Sequence, residues 1–108
     1  MKYWIIPSNG RVFDLEGALA ANQGLLDWRL KNVSVGDIVY IYKTRPDSCI
    51  KYMMEVVKSD GETARLSLVD VFQPHLFPIS KLREHGIKGN IQSKMECKPE
   101  TLQFLWNK

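Results

Sequence analysis

The sequence predicts an α+β fold, a small mixed or antiparallel β-barrel of about five strands decorated by about three short helices. Three observations lead there. Short apolar runs alternate with period two and are bounded by Gly, Pro, Asn or Asp, as short strands are. Tight turns rather than long crossovers separate them, which favours hairpins and a curled sheet. The helical patterns are few and brief, each with a recognisable start or stop. At 108 residues the chain is expected to be one domain, residues 1–108, without room for a second core of ordinary size.

Lys2 to Ile6 (KYWII) is the first predicted strand. The turn Pro7-Ser8-Asn9-Gly10 closes it, so that its end delivers Ser8 and Asn9 into a loop. Asp14 is placed to cap a helix from Leu15 to Asn22 with Leu15, Ala18 and Leu19 on its apolar face, although Gly17 costs it about 1 kcal/mol relative to Ala. Leu25 to Asn32 has no decisive period. Leu25, Leu26 and Leu30 are expected inward, and Trp28, between Asp27 and Arg29, is either a core plug or a ligand platform.

Gly36-Asp37 is a turn that opens the strand Ile38 to Tyr42. Lys43 to Ser48 is polar and contains Pro46, so it reads as an exposed loop. Ile50 to Val57 returns as a strand with Ile50, Tyr52, Met54 and Val56 expected on one face. Ser59-Asp60-Gly61-Glu62 is a hairpin turn into an alternating strand, Thr63 to Phe72. After the irregular QPHLFP link, a short helix from Ile79 to His85 stops at Gly86. Gly86 to Gln92 is a glycine-punctuated turn or short strand, and Pro99 opens a last helix, Pro99 to Trp106.

Composition narrows the function. Net charge is +3 and spread evenly: residues 1–57 carry seven Lys/Arg against six Asp/Glu, residues 58–108 eight against six. A polyanion is tolerated, without the clustered basic stripe of a strong nucleic-acid signal. Cys49 and Cys97 have no CxxC or Cys/His spacing, and His75 and His85 have no acidic partner one helical turn away, so no metal and no cofactor are expected. The apolar run at the N-terminus is too short for a signal peptide or a membrane span, which makes a soluble cytoplasmic setting the expectation. No GxSxG elbow, paired-carboxylate motif or phosphate loop is present, and no catalytic residue is nominated.

The informative pattern is aromatic groups interleaved with cations and amides: Trp4, Trp28, Arg29, Tyr40, Tyr42, Lys43 and Arg45. Holding an extruded base takes flat side chains to stack on it, polar groups for its edge and cations for the flanking phosphates. Taken singly, Trp4, Tyr40 and Tyr42 are equally well explained as barrel filling. The loop after Tyr42, held between two strands, is where binding residues tend to be placed.

KYWIIPSN, then DWRLKNVSVGDIVYIY, then SCIKYMMEV stand in an order and spacing that resembles the EVE domain of the PUA-like superfamily, clearly over residues 2–58 and loosely beyond. The resemblance implies a pseudobarrel that reads nucleic acid and holds a modified base, modified cytosine in DNA being favoured over RNA. By carry-over the base pocket would comprise Ser8, Asn9, Trp28, Tyr42 and Ser48, with Trp28 and Tyr42 stacking and Arg29, Lys43 and Arg45 taking phosphates. Pro7 stands where many relatives have Lys, and the Gly-Val-Arg-Asn segment of the classical branch is not recognisable around Arg29 to Asn32. Many relatives carry a nuclease beside the domain; here cleavage would need a separate partner. The expected protein is thus a monomeric, non-enzymatic reader without a membrane partner. Its rivals are a small hydrolase of modified nucleosides centred on Lys43 or another Lys, and a protein-interaction module using Met53, Met54 and the surface from Leu102 to Trp106.

Overall fold

The computed structural model describes residues 1–107, in which six strands and three short helices form. They are β1 (Tyr3–Ser8), α1 (Leu15–Ala21), β2 (Leu25–Trp28), β3 (Ile38–Lys43), β4 (Cys49–Ser59), β5 (Ala64–Val71), α2 (Ile79–Arg83), β6 (Met95–Glu96) and α3 (Pro99–Trp106). The strands make one sheet in the order β2-β5-β4-β3-β1-β6. All neighbours are antiparallel except β1 and β3, which run parallel from Tyr3 beside Ile38 to Ser8 beside Lys43.

The α+β class is as predicted, with two corrections to the architecture. A crossover does occur, because α1 and β2 fill the connection between the parallel strands β1 and β3. The ladder also does not close, since β2 and β6 are its two edges. The sixth strand has only two residues, too few to show a period.

Strand β1 continues through Pro7, although proline lacks an N–H. Ser8 O accepts from Thr44 N on the β3 side (3.0 Å), and Tyr3 O accepts from Cys97 N on the other (2.8 Å). Alternation turns the nitrogen of Pro7 to that second side, beyond the reach of β6, where no ladder bond is needed. Helix α1 is capped as predicted: Asp14 Oδ1 accepts from Gly17 N at 3.0 Å. A Cβ at Gly17 would meet Asp14 Oδ2 at 2.3 Å, so the glycine makes room for the carboxylate that starts the helix.

The sheet carries a core on each face. Inside its curl lie Trp4 and Ile6 of β1, Leu15 and Leu19 of α1, and Val39, Ile41, Tyr52, Met54 and Leu66. On the other face Ile5, Tyr40, Tyr42 and Ile50 pack under Phe77, Leu82, Ile91 and Leu105 from the C-terminal half. Ile50 and Tyr52 therefore do not share a face as expected. Ile41 pairs with Tyr52 but Tyr42 pairs with Ile50, leaving Lys51 as an extra residue in β4. A one-residue bulge reverses the alternation. Leu25 is also turned out, at 40% exposure, because β2 is an edge strand.

Asp37 fastens the turn before β3 to β1. Its carboxylate, 3% exposed, accepts from Trp4 Nε1, Lys2 N and Ser34 N, each at 3.0 Å. Burial works against its charge, but these donors outweigh burial and hold its pKa below the ordinary aspartate value.

Candidate nucleic-acid interface

Because the sheet curls without closing, edge strand β2 stops a cleft's width from β1. That cleft, of 340 Å³, is lined by Pro7, Ser8 and Asn9 from the end of β1, Val12 and Phe13 from the next loop, and Asp27, Trp28 and Arg29 from the end of β2. Trp28 rests one side on the inner core and meets the Phe13 ring edge-on (centroids 5.5 Å apart, 90° between planes). It is half-buried: one side fills the core, and the other stays open on the cleft. Asn9 holds the turn: its backbone oxygen accepts from Val12 N and Phe13 N at 3.0 Å, and its Oδ1 accepts from Arg11 N at 2.9 Å. Asn9 itself lines the cleft. Arg29 is exposed at the rim and forms no ion pair among the described residues. A polar groove of 420 Å³ lies beyond Trp28, where Arg65 bonds to Asp27 at 2.9 Å.

Under the Ser8–Gly10 turn is a polar cluster. Lys43 is 4% exposed, and its Nζ donates to Glu16 Oε1 at 3.0 Å. Tyr52 Oη donates to Glu16 Oε2 at 2.7 Å, and Lys51 Nζ lies 3.8 Å from the same oxygen. Burial opposes the charge of Glu16, yet Tyr52 and Lys43 together keep its pKa below the usual carboxylate value. Burial first, and the Glu16 carboxylate second, push the Tyr52 phenol upward. Ser8, on the neighbouring strand, is 3% exposed, and its Oγ has no hydrogen-bond partner. A buried hydroxyl without a partner is uncommon in proteins.

The structure brings Ser8, Asn9, Trp28 and Arg29 together and separates them from Tyr42, Arg45 and Ser48, which line a second cleft. Trp28 packs against the inner core and Tyr42 belongs to the outer one, so the expectation that both stack on one base is corrected. Lys43 is likewise corrected as a surface phosphate contact: strand alternation turns it inward, onto Glu16. Phe13 and Glu16 were not nominated from sequence, where Phe13 is a lone aromatic in a loop and Glu16 one acid in a helix. The surface considered for a protein partner shrinks, since Met54 (0%) and Leu105 (2%) are buried, while Trp106 remains 57% exposed. No group of three or more His, Cys, Asp or Glu side chains converges on a metal-sized space among the described residues. No helix among them is long and apolar enough to cross a membrane.

No protein-family model and no curated protein matches this sequence. The fold does have solved neighbours. A crystal structure of an ASCH protein from Zymomonas mobilis superposes with a TM-score of 0.69 at 16% identity, covering 98% of this chain and 94% of that one. An NMR structure of a protein from Rhodopseudomonas palustris gives 0.73 at 10% identity, over 99% and 92% of the two chains. A crystal structure of a protein from Agrobacterium tumefaciens gives 0.72 at 12% identity, again over 99% and 92%. At these identities the likeness shows the fold alone, an α+β fold shared with the ASCH protein and fitting the PUA-like class that the sequence predicted. The EVE branch named by the sequence resemblance is a finer assignment than this.

Proposed function

We propose that this protein is a nucleic-acid reader of the EVE-like branch that holds a modified base, modified cytosine in DNA before RNA, in the cleft between β1 and β2. The observation that carries the reading is the meeting of an open Trp28 face, the Ser8 and Asn9 polar groups and the Arg29 cation around one 340 Å³ space. That volume lies within the ~300–1,000 Å³ of typical small-ligand sites. Trp28 stacks on the base, Ser8 and Asn9 read its edge, and Arg29 meets the adjoining phosphate. The reader acts as one domain over residues 1–108 and as a monomer, and strand cleavage is left to a separate nuclease. The fold neighbours support a nucleic-acid-binding module of this general kind.

The test is binding of fluorescent oligonucleotides, DNA and RNA, carrying cytosine, 5-methylcytosine or 5-hydroxymethylcytosine at one site, to wild type and Trp28→Ala. Base–aromatic stacking is worth ~1–3 kcal/mol, so the variant should lose roughly 5- to 150-fold in affinity for the preferred base. Equal binding of every oligonucleotide, unchanged in a folded Trp28→Ala, would overturn the reading.

A second reading, a small hydrolase of modified nucleosides, is favoured by the Lys43–Glu16–Tyr52 cluster beside the unpartnered Ser8 hydroxyl. Titratable groups that perturb one another through burial and hydrogen bonding are candidates for acid–base chemistry. Turnover of free modified nucleosides, lost in Lys43→Met, would establish it; a reader shows none.

A further inference from the structure

The second cleft, 330 Å³ between the β3–β4 loop and the segment from α2 to Gln92, is lined by Tyr42, Arg45, Ser48, Arg83, Asn90 and Gln92, among others. Arg83 arrives from α2 already fixed: its Nε donates to Gly89 O at 3.1 Å and its Nη2 to Asn90 Oδ1 at 2.8 Å. Both acceptors are neutral, so the guanidinium charge is uncompensated while its remaining N–H groups stay free. Arg45 is exposed on the facing loop. The ion pairs among the described residues join Lys43 and Lys51 to Glu16 and Arg65 to Asp27, so neither arginine of the cleft has a carboxylate partner. Two unpaired guanidinium groups on one cleft, with neutral hydroxyl and amide groups between them, suit a phosphate, whose oxygens accept the planar N–H fork of arginine.

The position of this cleft ties it to the first. Thr44, on its rim, donates from N to Ser8 O at 3.0 Å, and Ser8 lines the other cleft. The two clefts open on opposite faces of the sheet at one shared end, the carboxyl ends of parallel strands β1 and β3, where α/β sheets commonly bind ligands. A ligand reaching both must bend around that end. A flexible single strand does so; a stiff duplex does not.

We infer that the second cleft is a phosphate subsite for single-stranded nucleic acid, with Arg45 and Arg83 clamping a phosphodiester flanking the base held between β1 and β2. The inference rests on the reader assignment and adds the strand's path and its single-stranded form.

The experiment compares wild type, Arg45→Gln, the Arg45→Gln/Arg83→Gln double variant and Trp28→Ala. Anisotropy titrations use a single-stranded DNA octamer with one 5-methylcytosine, across a salt series, and calorimetry uses free 5-methyldeoxycytidine. Arg45 forms no ion pair among the described residues, so Arg45→Gln serves as the variant that leaves the fold intact, whereas Arg83 also braces the Gly89–Asn90 turn. Each lost phosphate contact should flatten the plot of log K against log salt by ~0.7, which is roughly 5-fold in affinity across one decade of salt. Nucleoside binding should stay unchanged in the arginine variants and disappear in Trp28→Ala. Unchanged octamer affinity and slope in both arginine variants would overturn the subsite while leaving the reader standing. Nucleoside binding that survives Trp28→Ala would overturn the reader instead. A duplex bound as tightly as the single strand, or inorganic phosphate bound with the same arginine dependence as the octamer, would overturn the single-strand path.

Discussion

Asp37 offers the sharpest check on how this fold is held. Its Oδ2 accepts from both Trp4 Nε1 and Ser34 N, and its Oδ1 accepts from Lys2 N. In Asp37→Asn the side-chain oxygen can keep the Oδ2 pair, but the NH2 then faces the Lys2 N–H, donor against donor. Losing one charge-assisted bond costs about 1.5–3 kcal/mol, and weakening the other two to neutral bonds adds to it, so about 2–4 kcal/mol is expected. Asp37→Ala additionally strands the buried indole N–H, for about 3–5 kcal/mol in total. Domains of this size have roughly 5–15 kcal/mol to lose. Urea unfolding at pH 7, followed by circular dichroism, should show the midpoint of Asp37→Asn lowered by about 1 M or more, given an m-value of ~1–3 kcal/mol/M. The pH dependence supplies a second arm. The folded pKa of Asp37 lies below the unfolded reference of 3.8, so between the two the unfolded chain binds more protons and stability rises with pH. The contribution is fully present above pH 4 and lost as pH falls through the folded value. Asp37→Asn should flatten that acid limb. A variant within about 0.5 kcal/mol of wild type at pH 7, or one with a parallel acid limb, would refute the account.

Three further outcomes follow from the geometry. Ser8→Ala removes a buried hydroxyl without a partner, so the free protein should be unchanged or up to about 1 kcal/mol more stable while affinity for the modified base falls; equal affinity in a titration would remove Ser8 from the base edge. Glu16→Ala leaves the buried Lys43 ammonium unpaired and should cost about 1–3 kcal/mol by thermal unfolding, less than a fully buried pair because Glu16 is 45% exposed. The depressed pKa of Glu16 means that this contribution too is present above about pH 4.5 and fades as pH falls. Burial raises the thiol pKa of Cys49 and pushes that of Cys97 to about 12, so iodoacetamide at pH 8 should modify neither in the native protein and both after denaturation, read by mass spectrometry.

What was legible in the sequence is what depends on local pattern. The Asp14 cap, the Gly36 and Gly61 turns and the Pro99 helix start are all chosen by backbone geometry over a few residues, and the structure has them there. Ser8, Asn9, Trp28 and Arg29 are grouped by the family resemblance, and the structure places them on one cleft although β1 and β2 run in opposite directions in the sheet. Tyr42 could not be separated from them by sequence, since which core it enters follows from the alternation of β3, and the side taken by Ile50 opposite it follows from the unpaired Lys51. The parallel pairing of β1 with β3 was hidden for a similar reason: a crossover containing a seven-residue helix and a four-residue strand looks like any other series of short elements. Arg83 gave no sign either, being one cation in a charged helix until the Gly89–Asn90 turn folds back upon it.

On the proposed reading, the unclosed edge of the sheet would make recognition and folding a single equilibrium. Strand β2 pairs with β5 alone, and toward β1 its C-terminal end is held by side chains, with Phe13 on Trp28 and, just beyond the strand, Lys94 reaching Lys31 O while standing 4.5 Å over the Trp4 ring. On that reading, a base lodged between Trp28 and Ser8 would supply the contacts that a sixth pairing would have made, and so would act as a removable stave of the curled sheet. Occupancy is then recorded as rigidity: at a hundred times its dissociation constant a ligand adds ~2.7 kcal/mol to the folded state. Amide exchange in Leu25–Trp28 should slow first, ahead of the central strands.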